Sequence, residues 1–186
     1  MILHLKLILI LITPLIFQSC ENGKTNKKRN GLIVYQEAQI SWSRNFNPLS
    51  PAGSTRWPTK CGIHEPLFVY NSMTAKWVPW LAVDYKWNND NTILKMYIRK
   101  NVFWSDGHPF SAKDVAFTTQ IKRKFKALDT RNSWEYLDEV TAINDSVVQY
   151  KFNRVNVPGF DALATQPIVP KHIWEQVEDP VKFLNP

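Results

Sequence analysis

Apolar and polar positions alternate most clearly at "TILKMYIR" (92–99). Leu94, Met96 and Ile98 share one face, while Tyr97 joins Lys95 and Arg99 on the other. That pattern predicts a strand with one buried and one wet side. "EVTAI" (139–143) and "VVQYKF" (147–152) flank the turn "NDS" and predict a hairpin. A helical period appears at Phe117, Ile121, Phe125 and Leu128, spaced i, i+4, i+8 and i+11. Ser111 and Asp114 stand before it as a near capping box. Ser105-Asp106-Gly107 supplies a turn just upstream, since Gly tolerates positive φ and Asp bonds the local backbone. "VFWSDGHPFSAKDVAF" (102–117) therefore predicts a strand, a tight turn and a capped helix, with Phe103 and Trp104 packing beneath.

The remaining elements are shorter. "GLIVYQ" (31–36) is an apolar run that predicts a strand. "GIHEPLFVYN" (62–71) reads as the end of a short helix, then a strand from Leu67, with Pro66 preventing one continuous helix. "VPGFDAL" (157–163) and "PKHIWEQV" (170–177) read as short helices begun by prolines. Residues 41–59 are rich in Pro, Ser and Asn and predict a long ordered loop. The mixture is an α/β (α+β) one.

The first 30 residues follow different rules. An apolar run from Leu7 to Phe17 follows Lys6. It is too short for a bilayer core, which needs about 20 residues, and fits the h-region of a signal peptide. It ends in Gln18-Ser19-Cys20, which resembles a bacterial lipobox whose cysteine is lipidated; Gln18 departs from the usual residue there. The alternative is an ordinary secretory signal with an incidental cysteine. Residues 21–30 lack any apolar side chain and carry Lys24, Lys27, Lys28 and Arg29, so they read as a basic, flexible tether. Residues 31–186 are one domain's worth of chain.

Charge and chemistry narrow the function. The formal net charge of +7 lies partly in the tether and forms no clustered stripe, so nucleic-acid binding is not expected. Once Cys20 is lipidated, Cys61 has no partner for a disulfide and reads as a small buried hydrophobe. The histidines (4, 64, 108 and 172) have no metal-ligand spacing, so neither a metal site nor a cofactor is expected. Asp106 and Asp114 have turn and capping roles, and Glu135, Asp138 and Glu139 read as a solvated helix end or loop. No Gly-x-Ser-x-Gly motif or phosphate loop is present. An enzyme is therefore not expected.

Five blocks carry a resemblance: "EPLFVYN", "WVPWLAVDYKWNNDN", "ILKMYIRKNVFWSDGHPFSAKDVAFT", "YLDEVTAIND" and "PIVPKHIWEQVEDPVKF". In this order and spacing they resemble the family 5 extracytoplasmic solute-binding proteins of ABC importers, from about residue 31 to 186. The resemblance implies a type II periplasmic-binding-protein-like fold with two lobes that close on a ligand. It implies a small-molecule, peptide or oligosaccharide ligand and ABC permease subunits as partners; with the lipobox-like Cys20, the expected location is lipid-anchored in the bacterial cell envelope, on the periplasmic or cell-surface side of a membrane. Family members are much longer, so the chain is expected to hold only part of the first lobe and to bind solute poorly by itself. The alternative reading is a non-transporting structural or adhesion lipoprotein, or a non-functional gene fragment.

Candidate ligand contacts come from the tryptophans. Trp77, Trp80, Trp87 and Trp104 lie in strand-rich blocks and Trp174 in a helix, which suits packing. Trp42, Trp57 and Trp134 lie in loop-like segments beside polar groups, among them Asn47 and Arg56. A flat apolar face with hydrogen-bonding neighbours suits a sugar ring or a peptide. "NFNPLSPAGSTRWPTKCGIHEPLF" looks closer to the oligosaccharide-binding branch of the family than to the dipeptide branch. Trp42, Asn47, Arg56, Trp57 and Trp134 are therefore the expected ligand-binding residues, and Cys20 the lipidation site.

Overall fold

The computed structural model describes residues 44–51, 54–56 and 59–185. The strand expected at 31–36, together with Cys20, Trp42 and Trp57, lies outside them, as does the side chain of Cys61. The element order is β1 (Phe68–Asn71), β2 (Lys76–Pro79), β3 (Ala82–Trp87), β4 (Ile93–Ile98), α1 (Ala112–Lys124), β5 (Leu137–Asn144), β6 (Val147–Phe152), α2 (Gly159–Ala164) and α3 (Lys171–Trp174). A π-turn at Thr59–Ile63 precedes β1, closed by His64 N–H donating to the Thr59 carbonyl. β1 and β2 form a two-stranded antiparallel ladder, and the other four form an antiparallel sheet in the order β3-β4-β6-β5.

The β4 alternation is realised. Leu94, Met96 and Ile98 are buried, whereas Lys95 is exposed and Tyr97 half-buried. Val148, Tyr150 and Phe152 of β6 and Leu137 and Val140 of β5 extend the same apolar face. The expected hairpin closes through Ser146 N–H, which donates to Asn144 Oδ1. Asp138, expected in a loop or helix end, instead belongs to β5, which begins at Leu137, two residues before the expected strand.

Helix α1 covers this face with small side chains. Ala112, Val115 and Ala116 are in the main core, and Thr118 and Thr119 are also fully buried. Small residues allow the helix to approach the sheet closely. The Phe117/Ile121/Phe125/Leu128 stripe belongs to a second cluster with Leu49, Val169 and Trp174. The helix stops at Lys124, and Leu128 lies in a following 3-10 turn, so the apolar period outruns the helix. Its start is a capping box: Ser111 Oγ accepts from Lys113 N–H, and Asp114 Oδ2 accepts from Ser111 N–H at 2.9 Å. Asp114 Oδ1 also accepts from Lys171 N–H at 2.9 Å, tying the start of α3 to the start of α1.

The 103–110 segment doubles back through an isolated bridge between Phe103 and Pro109, with Gly107 at φ +86° in its turn. Positive φ favours glycine there. Trp104 packs edge-on against Phe110 at 5.7 Å. Phe103 does not pack beneath the strand as expected: it is 63% exposed, because alternation aims it to the opposite side from Trp104. Trp77 and Trp87 pack partly buried against the core and Trp174 is fully buried, but Trp80 is largely exposed.

Candidate functional site

The two loop-like segments read as ligand-facing, 41–59 and 132–134, converge on one polar cavity of about 270 Å³. Pro48 and Leu49 enter from the first, and Ser133 from the second, next to Asp129 and Arg131. Lys60 from the π-turn, Lys122 from α1 and Gln166 after α2 complete the polar wall. Three cations thus share a space with one carboxylate.

Lys122 is the unusual member. It sits on the inner side of the last turn of α1 and is only 9% exposed. Its Nζ donates to Gln166 Oε1 at 2.7 Å, and Gln166 Nε2 donates to Thr119 Oγ1 at 3.0 Å. Burial disfavours the charged amine and pushes it down to about 8, from an ordinary value near 10.5. Asp129 opposes that fall, while Arg131 and Lys60 add to it. Burial also lowers the Lys60 amine, which donates to the Ser50 carbonyl. Arg131 pairs with Asp161 at 2.8 Å. Asp129 Oδ2 accepts from Trp134 N–H at 3.0 Å, whereas its Oδ1 is buried without a hydrogen-bond partner among the described residues.

The expected contacts fare unequally against this geometry. Asn47 is fully buried, and its carboxamide is committed to the fold: Nδ2 donates to the Pro180 and Phe183 carbonyls at 2.9 Å each, and Oδ1 accepts from Leu49 N–H at 2.9 Å. These bonds pin the 44–50 loop to the 180–183 segment and commit both amide protons to the fold. Arg56 is half-buried, and its backbone N–H donates to the Asn45 carbonyl at 2.7 Å. Trp134 lines a separate open groove between α1 and β5, of about 450 Å³, beside Phe117, Gln120 and Arg123. Its indole N–H donates to the Thr119 carbonyl at 2.9 Å, and the Arg123 guanidinium lies 4.9 Å from the ring centre. One polar end and one approach to the ring are therefore already occupied.

Sequence reasoning passed over Lys122, Asp129 and Gln166. A lysine flanked by Lys124 and Arg123 reads as part of a solvated helix end. The available signal was its i+1 position after Ile121, on the apolar stripe's shoulder.

The mixed sheets and helices match part of a type II periplasmic-binding-protein fold. A solved periplasmic oligopeptide-binding protein of Thermotoga maritima, bound to mannohexaose, superposes with a TM-score of 0.70 at 30% identity, over 77% of this chain and 27% of its own. A Campylobacter jejuni protein solved with a nickel–histidine complex shares the fold alone, at TM-score 0.63 and 22% identity over 75% of this chain and 27% of its own. A Brucella ovis protein named for ABC-transporter peptide binding is 32% identical over 82 residues, which is 44% of this chain and 15% of that one. Residues 76–185 match the family model described as bacterial extracellular solute-binding proteins, family 5, middle region. The chain belongs to that family, and membership implies a place outside the cytoplasm. It spans about a quarter or less of the length of these relatives.

Proposed function

We propose that this chain contributes the solute-capturing part of an ABC importer, holding a short peptide for delivery to permease subunits, without turning it over, while lipidated Cys20 tethers it to the membrane. The family match over 76–185 supports the transport role. The single observation that favours peptide is the composition of the cavity. Lys60, Lys122 and Arg131 suit a carboxylate, and the unpartnered Asp129 Oδ1 suits an ammonium or amide donor. A zwitterionic peptide offers both groups and a neutral sugar offers neither charge. Arg56, Trp42 and Trp57 are further ligand contacts in this reading, and Trp134, in its separate groove, is one only for a longer ligand.

Oligosaccharide is the second reading, supported by the mannohexaose bound to the Thermotoga protein. Calorimetric titration of the purified protein with tripeptides and with β-linked oligosaccharides separates the two. The expected result is weak but saturable tripeptide binding, no product, and at least tenfold weaker binding in Lys122→Met. Saturation by oligosaccharide alone, or a tripeptide isotherm indifferent to Lys122→Met, overturns the peptide assignment.

A further inference from the structure

Asp106, His108 and His172 come together at the surface, although 64 residues of sequence separate the two histidines. Each can offer one donor atom, and all three atoms lie within 4.8 Å of one another. His172 Nε2 is 2.6 Å from Asp106 Oδ2, and His108 Nδ1 is 3.3 Å from Asp106 Oδ1. The two imidazole rings stack with centroids 4.0 Å apart and planes 20° apart. Both rings therefore bring a nitrogen to the same carboxylate, from elements the fold fixes separately. Asp106 and His108 belong to the turn held by Gly107 N–H donating to the Trp104 carbonyl and by His108 N–H donating to Asp106 Oδ1. His172 sits in α3, whose first amide is bound by Asp114.

We propose that this trio is a binding site for a divalent transition ion of the zinc class. Metal–nitrogen and metal–oxygen bonds of about 2.0–2.2 Å place neighbouring donors of a tetrahedral shell about 3.3–3.5 Å apart. The three donor atoms, all within 4.8 Å of one another, lie near that spacing: the Asp106–His172 edge must open by less than about 1 Å, and the stacked rings must turn so that both nitrogens face one point. Two neutral imidazoles and one carboxylate carry a formal charge of −1, which suits a divalent cation. Imidazole donors select zinc, copper or nickel over calcium or magnesium, which prefer all-oxygen shells. The side chains of Asp106 and His108 are substantially exposed and that of His172 is partly so, so an ion reaches all three directly from solvent. Three protein donors leave a fourth position for water, as in open zinc sites. Without metal, a hydrogen bond between His172 and Asp106 holds the same two atoms together. The site lies outside the Lys122 cavity, since none of the three residues lines it.

The test is calorimetric titration of the full 186-residue chain with zinc chloride in chelator-free buffer, with magnesium chloride as comparison. One zinc equivalent is expected, with no comparable magnesium heat, and zinc X-ray absorption is expected to show two imidazoles in the shell. His108→Gln removes one donor but keeps the Asp106–His172 contact that joins the turn to α3, so its fold is not at risk. It is expected to bind zinc at least tenfold more weakly, as is His172→Gln. Absence of saturable zinc binding, an isotherm unchanged in His108→Gln, or equal affinity for magnesium overturns the proposal.

Discussion

Replacing Lys122 by methionine should make the protein more stable at neutral pH and less so, relative to the parent, in alkali. Methionine keeps most of the side chain's length and apolar stem but carries no charge. The amine falls from near 10.5 in the unfolded chain to about 8 in the folded one. At about 1.4 kcal/mol for each step on the pH scale, keeping it charged inside costs about 3 kcal/mol. Methionine removes that cost but strips Gln166 Oε1 of its donor, which returns about 1–2 kcal/mol. The net gain at pH 7 is about 1–2 kcal/mol. The sign with pH follows from proton counts. Between about pH 8 and 10.5 the unfolded chain holds the proton and the folded chain does not, so parental stability from this group rises with pH. Below about pH 8 both states are protonated and the cost is constant. Urea denaturation at pH 7 and pH 10.5 should therefore show the Met-minus-parent difference falling by about 3 kcal/mol and changing sign. An equal difference at both pH values would refute a charged, buried Lys122. A loss of stability at pH 7 would show that the Gln166 bond outweighs burial.

Three other changes probe separate features. Gly159→Ala puts a Cβ 2.9 Å from the Tyr136 ring and 3.2 Å from Phe152, so thermal melting should show a loss of about 1–3 kcal/mol, whereas an unchanged melting point would show that the rings yield freely. Ser111→Ala removes one acceptor of the capping box and should cost about 1 kcal/mol in denaturant titration; no loss would mean that Asp114 alone holds the helix start. Cys20→Ser should release the protein from membranes in fractionation or stall its processing, and unchanged mass and partition would sink the lipid anchor.

Local chemistry made much of this fold legible. Ser111 and Asp114 sit three residues apart, and Leu94, Met96 and Ile98 alternate, so a short window contains the whole signal. The 139–152 hairpin is readable for the same reason. The site was legible only as a neighbourhood. The loop before Thr59 and the segment around Ser133 do meet, but the side chains that line their meeting point are Lys60, Lys122 and Asp129, which look like ordinary surface charges in sequence. Asn47 has the composition of a ligand contact, yet the carbonyls of Pro180 and Phe183, more than 130 residues away, take both of its amide protons. Asp106 and His172 are 66 residues apart and show no metal-ligand spacing. Such groupings arise from tertiary packing, which periodicity does not encode.

Asp114 gives the fold a sequence in time. Its two oxygens serve amides 3 residues upstream and 57 residues downstream. On a ribosome adding about 5–20 residues per second, the second amide is made roughly 3–11 seconds after the carboxylate. Until then only one of the two oxygens has its amide partner in the chain. The carboxylate reaches its 5%-exposed state only when the segment around Lys171 arrives. The helix over Ala112–Lys124 can therefore form early, but the burial of its beginning waits for the segment around Lys171.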